Sequence, residues 1–202
     1  PVTSTTSIGT KMVAVRVAPS QRPANGATVV RPIILIGFMG SGKTAVGRRL
    51  AAALACEHVD LDRWIEARVG PLLPFVRSNG EEAFRSLERE ALIEVLVPGQ
   101  RVVSLGGGTP CSFDNMAKAL AAGTVVFIDA PLIELQERLL KKGRDRPLLF
   151  GLDDERLRDR VAALLAQRLP VYRRAHLIVD GSGDPAAITQ RILHALGPDQ
   201  LR

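Results

Sequence analysis

Short apolar runs recur along the chain, and each is followed by a longer stretch whose apolar positions have helical spacing. The runs carry β-branched or aliphatic residues on both parities, which is typical of strands covered on both faces of a parallel sheet. We therefore predict five strands, at Ile33–Ile36, His58–Val59, Val102–Leu105, Thr124–Ile128 and Leu177–Val179.

The segments between these strands predict helices, because their apolar residues recur every three or four positions. Strands that alternate with helices favour an α/β doubly wound fold with a parallel sheet. Past residue 31 there is no internal repeat and no low-complexity segment. The predicted helices are Lys43–Leu54, Arg63–Arg68, Glu81–Leu96, Asn115–Ala122, Leu132–Lys141, Asp154–Arg168 and Pro185–Ala195.

The first 31 residues differ from the rest in composition: they are rich in Ser, Thr, Pro, Val and Ala, contain no acid and show no clean periodicity. We predict a flexible N-terminal extension over 1–31 and a single folded domain over 32–202. The extension has two open interpretations, a simple tail or an organellar transit segment, and Met12 is a second candidate start.

The formal charge of +6 belongs to the front of the chain. Seven of the 27 basic residues precede Glu57, before which no acid occurs, and the remaining 20 face 21 acidic residues. With one Trp and one Tyr, there is also little aromatic surface on which bases could stack. We therefore expect no nucleic-acid partner.

The apolar runs are far shorter than the 18 or more residues that a membrane-spanning helix needs, so we expect no membrane partner. Cys56 and Cys111 lack the spacing of a metal site or a disulfide framework, and we interpret them as small apolar residues of a cytoplasmic protein.

One motif carries specific chemistry. Residues 37–44, GFMGSGKT, match the pattern G-x-x-x-x-G-K-[ST], lie after a predicted strand and open a predicted helix. Backbone N–H groups of such a loop and the helix N-terminus bind phosphates. Lys43 can reach the β- and γ-phosphates, and the Thr44 hydroxyl can ligate Mg²⁺. The sequence predicts a site for a nucleoside triphosphate.

Other phosphate-loop proteins fit less well. A GTPase should carry an N/T-K-x-D motif, which this chain lacks, and the apolar run ending at Asp129 has no second acid of the kind that helicases and AAA-type ATPases show. The length favours a small-molecule kinase.

Asp60 and Asp62 end the second predicted strand, about 16 residues after the loop. Two carboxylates at that edge of the sheet can organise Mg²⁺ through water and take a proton from a substrate hydroxyl. Arg85 and Glu88 share a helix face, which in isolation is typical of a surface ion pair. Three glycines at 106–108 allow a ligand to approach the backbone, and the 143–149 loop, GRDRPLL, suits a lid over phosphates.

Six motifs in order, GFMGSGKT, VDLD, GEEAFRSLE, SLGGGT, GRDRPLL and QRLPVYRR, resemble the shikimate kinase family over residues 32–196. The resemblance implies a phosphate-loop kinase of three layers, with a five-stranded parallel sheet in the order 2-3-1-4-5, a small substrate-binding helical subdomain and a lid. It also implies phosphorylation of the 3-hydroxyl of shikimate with ATP and Mg²⁺, a step toward chorismate and the aromatic amino acids, by a cytoplasmic and monomeric enzyme.

The same resemblance implies roles for individual residues. Asp62 should bind the substrate hydroxyls and act as the base, Arg85 and Arg168 should bind the shikimate carboxylate, and the backbone of Gly107 should contact the substrate. Catalysis should further involve Lys43 and Arg146, which also meet the phosphates of ATP. The remaining expected ligands of ATP and magnesium are Gly40, Ser41, Gly42, Thr44 and Ala45 for the nucleotide, and Thr44 with Asp60 for the metal.

The segment between Gly70 and Gly80 departs from the family pattern, because it is a residue shorter and carries Pro71 and Pro74. Pro71 can start a helix, whereas we expect Pro74 to weaken or end it. The substrate pocket can therefore differ in shape, and a shikimate analogue as substrate stays open. Two further alternatives are a kinase for another hydroxylated acid such as gluconate and a non-catalytic ATP-binding regulator.

Overall fold

Five parallel strands form one sheet in the order β2-β3-β1-β4-β5, as expected. The computed structural model describes residues 31–143, 146 and 148–197, so the predicted extension over 1–31 lies almost wholly outside the described residues. In register, Leu35 of β1 pairs with Ser104 of β3 and Val126 of β4. The strands are β1 (Ile33–Ile36), β2 (Glu57–Asp60), β3 (Arg101–Ser104), β4 (Thr124–Asp129) and β5 (Leu177–Asp180).

Seven helices accompany these strands in the described part of the chain, together with a 3₁₀ turn at Thr109–Cys111. None of those helices combines the length and the apolar character that a bilayer crossing requires. The helices are α1 (Lys43–Ala53), α2 (Leu61–Val69), α3 (Leu72–Val95), α4 (Asn115–Ala122), α5 (Leu132–Lys142), α6 (Asp154–Tyr172) and α7 (Pro185–Leu196).

Alternate strand residues point to opposite faces of the sheet and build two cores. On one face, Leu35 and Val126 pack with Val46 of α1 and Ile188 of α7. On the other face, the neighbouring strand residues pack with α2 to α6. The result is the predicted three-layer arrangement, with a sheet between two layers of helices.

The carboxyl ends of β1, β2 and β3 lie at one edge of the sheet and position the functional residues. β1 leads into the phosphate loop, residues 37–44; β2 ends at Asp60; and β3 leads into the three glycines. Ligands of open α/β sheets bind outside such strand ends, where neighbouring strands connect in opposite directions.

The helix after Pro71 contradicts the expectation for Pro74. α3 begins at Leu72 and continues through Pro74. Pro74 lies in the first turn, where a backbone N–H has no acceptor, and the first such bond runs from Phe75 N to Pro71 O at 3.2 Å. The break comes instead at Gly80, whose φ of 85° and ψ of 167° are not helical.

Candidate active site

The phosphate loop is held by its own lysine. Lys43 is buried, and its Nζ donates to the carbonyl oxygens of Gly37 and Phe38 at 2.9 Å each. Gly42 caps α1 with a φ of 89° and without a side-chain hydrogen bond, so the first N–H groups of the helix have no side-chain acceptor there. The loop therefore presents an ammonium group and a helix N-terminus to an anion.

An arginine that the sequence did not single out also holds this loop. Arg138 of α5 donates to the carbonyl of Gly40 at 3.2 Å and to that of Gly183 at 3.1 Å, and it pairs with Glu134. Because Arg138 and Gly40 are 98 residues apart, no local pattern announces this contact.

The Thr44 hydroxyl and the Asp60 carboxylate are in direct contact. Thr44 Oγ1 donates to Asp60 Oδ2 at 2.6 Å, while Asp60 Oδ1 accepts from the backbone N–H of Arg63 at 3.3 Å and caps α2. A hydroxyl beside a carboxylate is a donor set that suits Mg²⁺ bound largely through water and phosphate oxygens.

Asp62 lies in the same cavity in an environment that favours its protonated form. The pKa of Asp62 is raised to about 6, chiefly by burial and also by the nearby carboxylates of Glu88 and Asp60, while the cations of Lys43 and Arg146 oppose the increase. The pKa of Lys43 is lowered to about 8, chiefly by burial and also by the charge of Arg146, while Asp62 opposes the decrease. These two groups stand close enough to influence each other across the site.

The three glycines after β3 allow charged side chains to converge. A Cβ at Gly106 would lie 2.6 Å from Asp62 Oδ1, and one at Gly108 would lie 2.6 Å from Arg85 Nη1. A side chain at either position would displace a functional group.

Arg85 and Glu88 form a largely buried pair, unlike the exposed pair that their spacing alone favours. Glu88 is 1% exposed, accepts from Arg85 Nη1 at 2.5 Å, and takes the Thr109 hydroxyl on its other oxygen at 2.6 Å. Glu81 accepts from Arg85 Nη2 at 3.0 Å. Glu88 and Thr109 are thus site residues that the sequence analysis did not assign, although the carboxylate at i+3 was visible.

Arg168 reaches the site from α6 with an unused donor. It is 6% exposed, its guanidinium lies 5.6 Å from the centre of the Phe38 ring, and its Nη1 atom is buried without a hydrogen-bond partner among the described residues. A buried and unpaired cationic donor is costly, and an anionic ligand would satisfy it.

These groups line one cavity of about 760 Å³. Its apolar wall comes from α3, including Leu72, Leu73 and Phe84. Gly40, Ser41, Gly42, Lys43 and Ala45 form the phosphate loop and the first turn of α1 at its side. The other predicted site residues all line the cavity: Thr44, Asp60, Asp62, Arg85, Gly107, Arg146 and Arg168.

A phosphate loop at the end of the central strand, beside a cavity with a carboxylate and converging arginines, defines a phosphate-loop kinase that acts on a small molecule. A family model for shikimate kinase matches residues 39–197. The chain therefore belongs to the shikimate kinase family and is an enzyme.

Individual relatives agree with this assignment. A shikimate kinase of Thermus thermophilus is 43% identical over 152 residues, which cover 75% of this chain and 81% of the relative. The crystal structure of a shikimate kinase from Bacteroides thetaiotaomicron matches with a TM-score of 0.76 and 35% identity, covering 82% of this chain and 98% of that one. A shikimate kinase from Acinetobacter baumannii, solved in complex with shikimate, matches with a TM-score of 0.77 and 32% identity over 86% and 96% of the two chains.

Proposed function

We propose that this enzyme transfers the γ-phosphoryl group of ATP to the 3-hydroxyl of shikimate, giving shikimate 3-phosphate and ADP. The observation that carries the proposal is that Arg168 and Asp62 line the same cavity beside the phosphate loop, with Arg168 Nη1 buried and without a hydrogen-bond partner in the described part of the chain. A small polyol with one carboxylate matches this arrangement of one anion site and one proton acceptor. The complex of the Acinetobacter baumannii relative with shikimate supports the choice of substrate.

Arg85 and Arg168 bind the carboxylate of shikimate in this proposal. Two guanidinium groups can donate in the plane of a carboxylate, which an ammonium group cannot do as well. Glu88 fixes Arg85 through the 2.5 Å pair, so its donors need no reorganisation when the substrate arrives. The backbone of Gly107, beside Arg168, contacts the substrate ring.

Asp62 binds the hydroxyls of shikimate and accepts the proton of the 3-hydroxyl as its oxygen attacks phosphorus. Its pKa of about 6 makes it a stronger base than an ordinary carboxylate while leaving it ionised at neutral pH. The bond from phosphorus to the bridging oxygen breaks, and ADP leaves with the electron pair.

The phosphates of ATP lie in the phosphate loop, against the backbone of Gly40, Ser41, Gly42, Thr44 and Ala45. Lys43 and Arg146 face the transferred group from two sides, and their positive charge stabilises its transition state. Since Lys43 already donates to two carbonyl oxygens of the loop, its ammonium group is held where the phosphates bind.

Thr44, and Asp60 through water, hold Mg²⁺ in this proposal, and their 2.6 Å contact places hydroxyl and carboxylate side by side. Bound there, the metal neutralises charge on the phosphates. Among the described residues no three His, Cys, Asp or Glu side chains cluster as a metal cage, which suits a metal that enters with the nucleotide. We further propose that the enzyme is cytoplasmic and monomeric and acts on the route to chorismate.

A coupled assay of ADP release with Mg-ATP tests the proposal, with shikimate, gluconate, quinate and no acceptor in separate reactions. We expect turnover with shikimate alone, abolished in a Lys43→Met control that removes the ammonium group from the phosphate loop. Turnover with gluconate or quinate in place of shikimate, or equal ADP release without an acceptor, would contradict the assignment.

A further inference from the structure

Tyr172 is a fully buried residue beside the cavity whose hydroxyl has no place in the chemistry proposed above. It ends α6, and its hydroxyl donates to the backbone carbonyl of Gly107, 65 residues away. Its ring packs on Phe127 of β4, with the ring centroids 5.2 Å apart. Packing against the core thus fixes the position of the Tyr172 ring, and the hydrogen bond from its hydroxyl restrains the Gly107 peptide.

Arg168 lies on the same face of α6, one turn before Tyr172. A Cβ at Gly107 would lie 3.6 Å from Arg168 Nη1 and 3.0 Å from the backbone nitrogen of Met39 in the phosphate loop. Gly107 therefore lies beside both Arg168 and the phosphate loop, and its carbonyl accepts the hydrogen bond of Tyr172.

The chemistry of the three groups sets the direction of their hydrogen bonds. A carbonyl can only accept and a guanidinium can only donate, whereas a phenol can do both. Burial raises the pKa of Tyr172, and the charge and hydrogen bonding of Arg168 oppose that increase. The phenol thus stays protonated and donates to Gly107, and Arg168 lies close enough for its charge to act on the phenol.

We infer that Tyr172 is a positioning residue for the acceptor substrate. It fixes the orientation of the Gly107 peptide relative to the Arg168 guanidinium, so that both face the same bound anion. This inference rests on the proposed function, in which Arg168 binds the substrate carboxylate. Without the hydroxyl, the Gly107 carbonyl loses its donor, and the guanidinium beside that peptide loses a fixed polar neighbour.

The Tyr172→Phe variant removes the hydroxyl and keeps the ring on Phe127. We expect the KM for shikimate to rise about 3- to 10-fold, the effect of losing one neutral hydrogen bond, while the KM for ATP stays within twofold of the wild-type value. Thr189→Val is the matched control, since Thr189 is buried and donates its hydroxyl to the Pro185 carbonyl at 2.7 Å in α7. It should lose similar stability without changing either KM.

A double-mutant cycle with Arg168→Lys tests the link to the guanidinium. If Tyr172 acts through Arg168, the loss of the hydroxyl should cost much less in the Arg168→Lys background than in the wild type. The inference would be overturned if the fold-increases in KM for shikimate simply multiplied in the double variant. It would also be overturned by an unchanged KM for shikimate in Tyr172→Phe, or by equal increases in the KM values for shikimate and ATP. Absence of shikimate-dependent turnover in the wild-type enzyme would instead refute the proposed function, so the two failures are distinguishable.

Discussion

Replacing Arg168 with methionine should make the free enzyme more stable and the substrate-bound enzyme less stable than the wild type. The free protein buries the guanidinium at 6% exposure with Nη1 unpaired among the described residues. Methionine fills much of the same space without a charge and without donors. The substitution therefore removes the desolvation cost of the guanidinium, which in the wild type is offset only when an anionic ligand binds.

The magnitude follows from the two surroundings of Arg168. An unsatisfied buried donor costs about 1–3 kcal/mol, and the aromatic face of Phe38 at 5.6 Å returns roughly 0.5–1 kcal/mol of it. We expect Arg168→Met to gain about 1 kcal/mol in the free energy of unfolding, or roughly 2–4 °C in Tm. Loss of the charged hydrogen bond should cost about 2–3 kcal/mol in shikimate affinity, roughly 30- to 150-fold.

Thermal unfolding with and without shikimate measures both effects in one assay. At a concentration of about 100 times its Kd, shikimate stabilises the wild type by about 2.7 kcal/mol and a variant weakened 100-fold by only about 0.4 kcal/mol. The variant should therefore have the higher Tm without shikimate, and the wild type should have the higher Tm with it. Arg160→Met, which removes an exposed arginine from the same helix, should leave the order unchanged.

A lower Tm for Arg168→Met than for the wild type in the absence of shikimate would refute the reasoning. It would mean that the guanidinium stabilises the free fold more than its burial costs.

The site geometry predicts three further results. The value of kcat/KM for shikimate should rise through about pH 6, where Asp62 loses its proton, and fall above about pH 8, where Lys43 loses its charge; a pH profile measures both limbs. Thr44→Val should raise the Mg²⁺ concentration required for half-maximal activity roughly 10-fold or more, because it removes the hydroxyl of the metal site, whereas Thr44→Ser should restore it; a magnesium titration decides. Gly108→Ala should raise the KM for shikimate, because its Cβ would lie 2.6 Å from Arg85 Nη1, while unfolding curves should show a folded protein, since a flexible side chain can move aside.

Each of these has an outcome that would contradict it. A value of kcat/KM that does not change between pH 5 and pH 9 would mean that the ionisation of Asp62 and Lys43 does not control the reaction. An unchanged magnesium requirement in Thr44→Val would remove Thr44 from the metal site, and an unchanged KM in Gly108→Ala would mean that Arg85 does not need its present position.

The pKa of Asp62 also has a consequence for stability. Because its pKa of about 6 in the folded protein lies above the ordinary value of 3.8, the folded state binds the proton more tightly, and stability falls as pH rises between these two values. Asp62→Asn removes this titration, so the variant should gain on the wild type as pH increases. Parallel curves of stability against pH for the wild type and Asp62→Asn would show that the folded protein does not raise the pKa of Asp62.

Local signals in the sequence predicted the strands and the phosphate loop well, because both depend on neighbouring residues. The pattern of residues 33–44 contains the strand, the turn and the helix start that bind phosphate. The start of α3 was missed for a local reason as well, since the rule against proline holds in the helix interior and Pro74 lies in the first turn.

Contacts between distant segments could not be predicted from residues alone. The Arg138–Gly40 bond spans 98 residues, and the one from Tyr172 to Gly107 spans 65. Glu88 was visible three residues after Arg85, but its spacing does not say whether that helix face meets solvent or the core. Burial decided the matter, and burial depends on how α3 packs against the loop after β3.

The break at Gly80 divides recognition of the substrate into two independently adjustable parts. Before Gly80, α3 supplies apolar wall residues such as Leu72 and Leu73, and after it the same helix carries Arg85 and Glu88. A non-helical residue between them uncouples the angle of the first half from that of the second. Substitutions in the first half can therefore reshape the space around a ring while the anion-binding half keeps its geometry, which makes residues 71–79 the segment of choice for redirecting this enzyme to other cyclic acids.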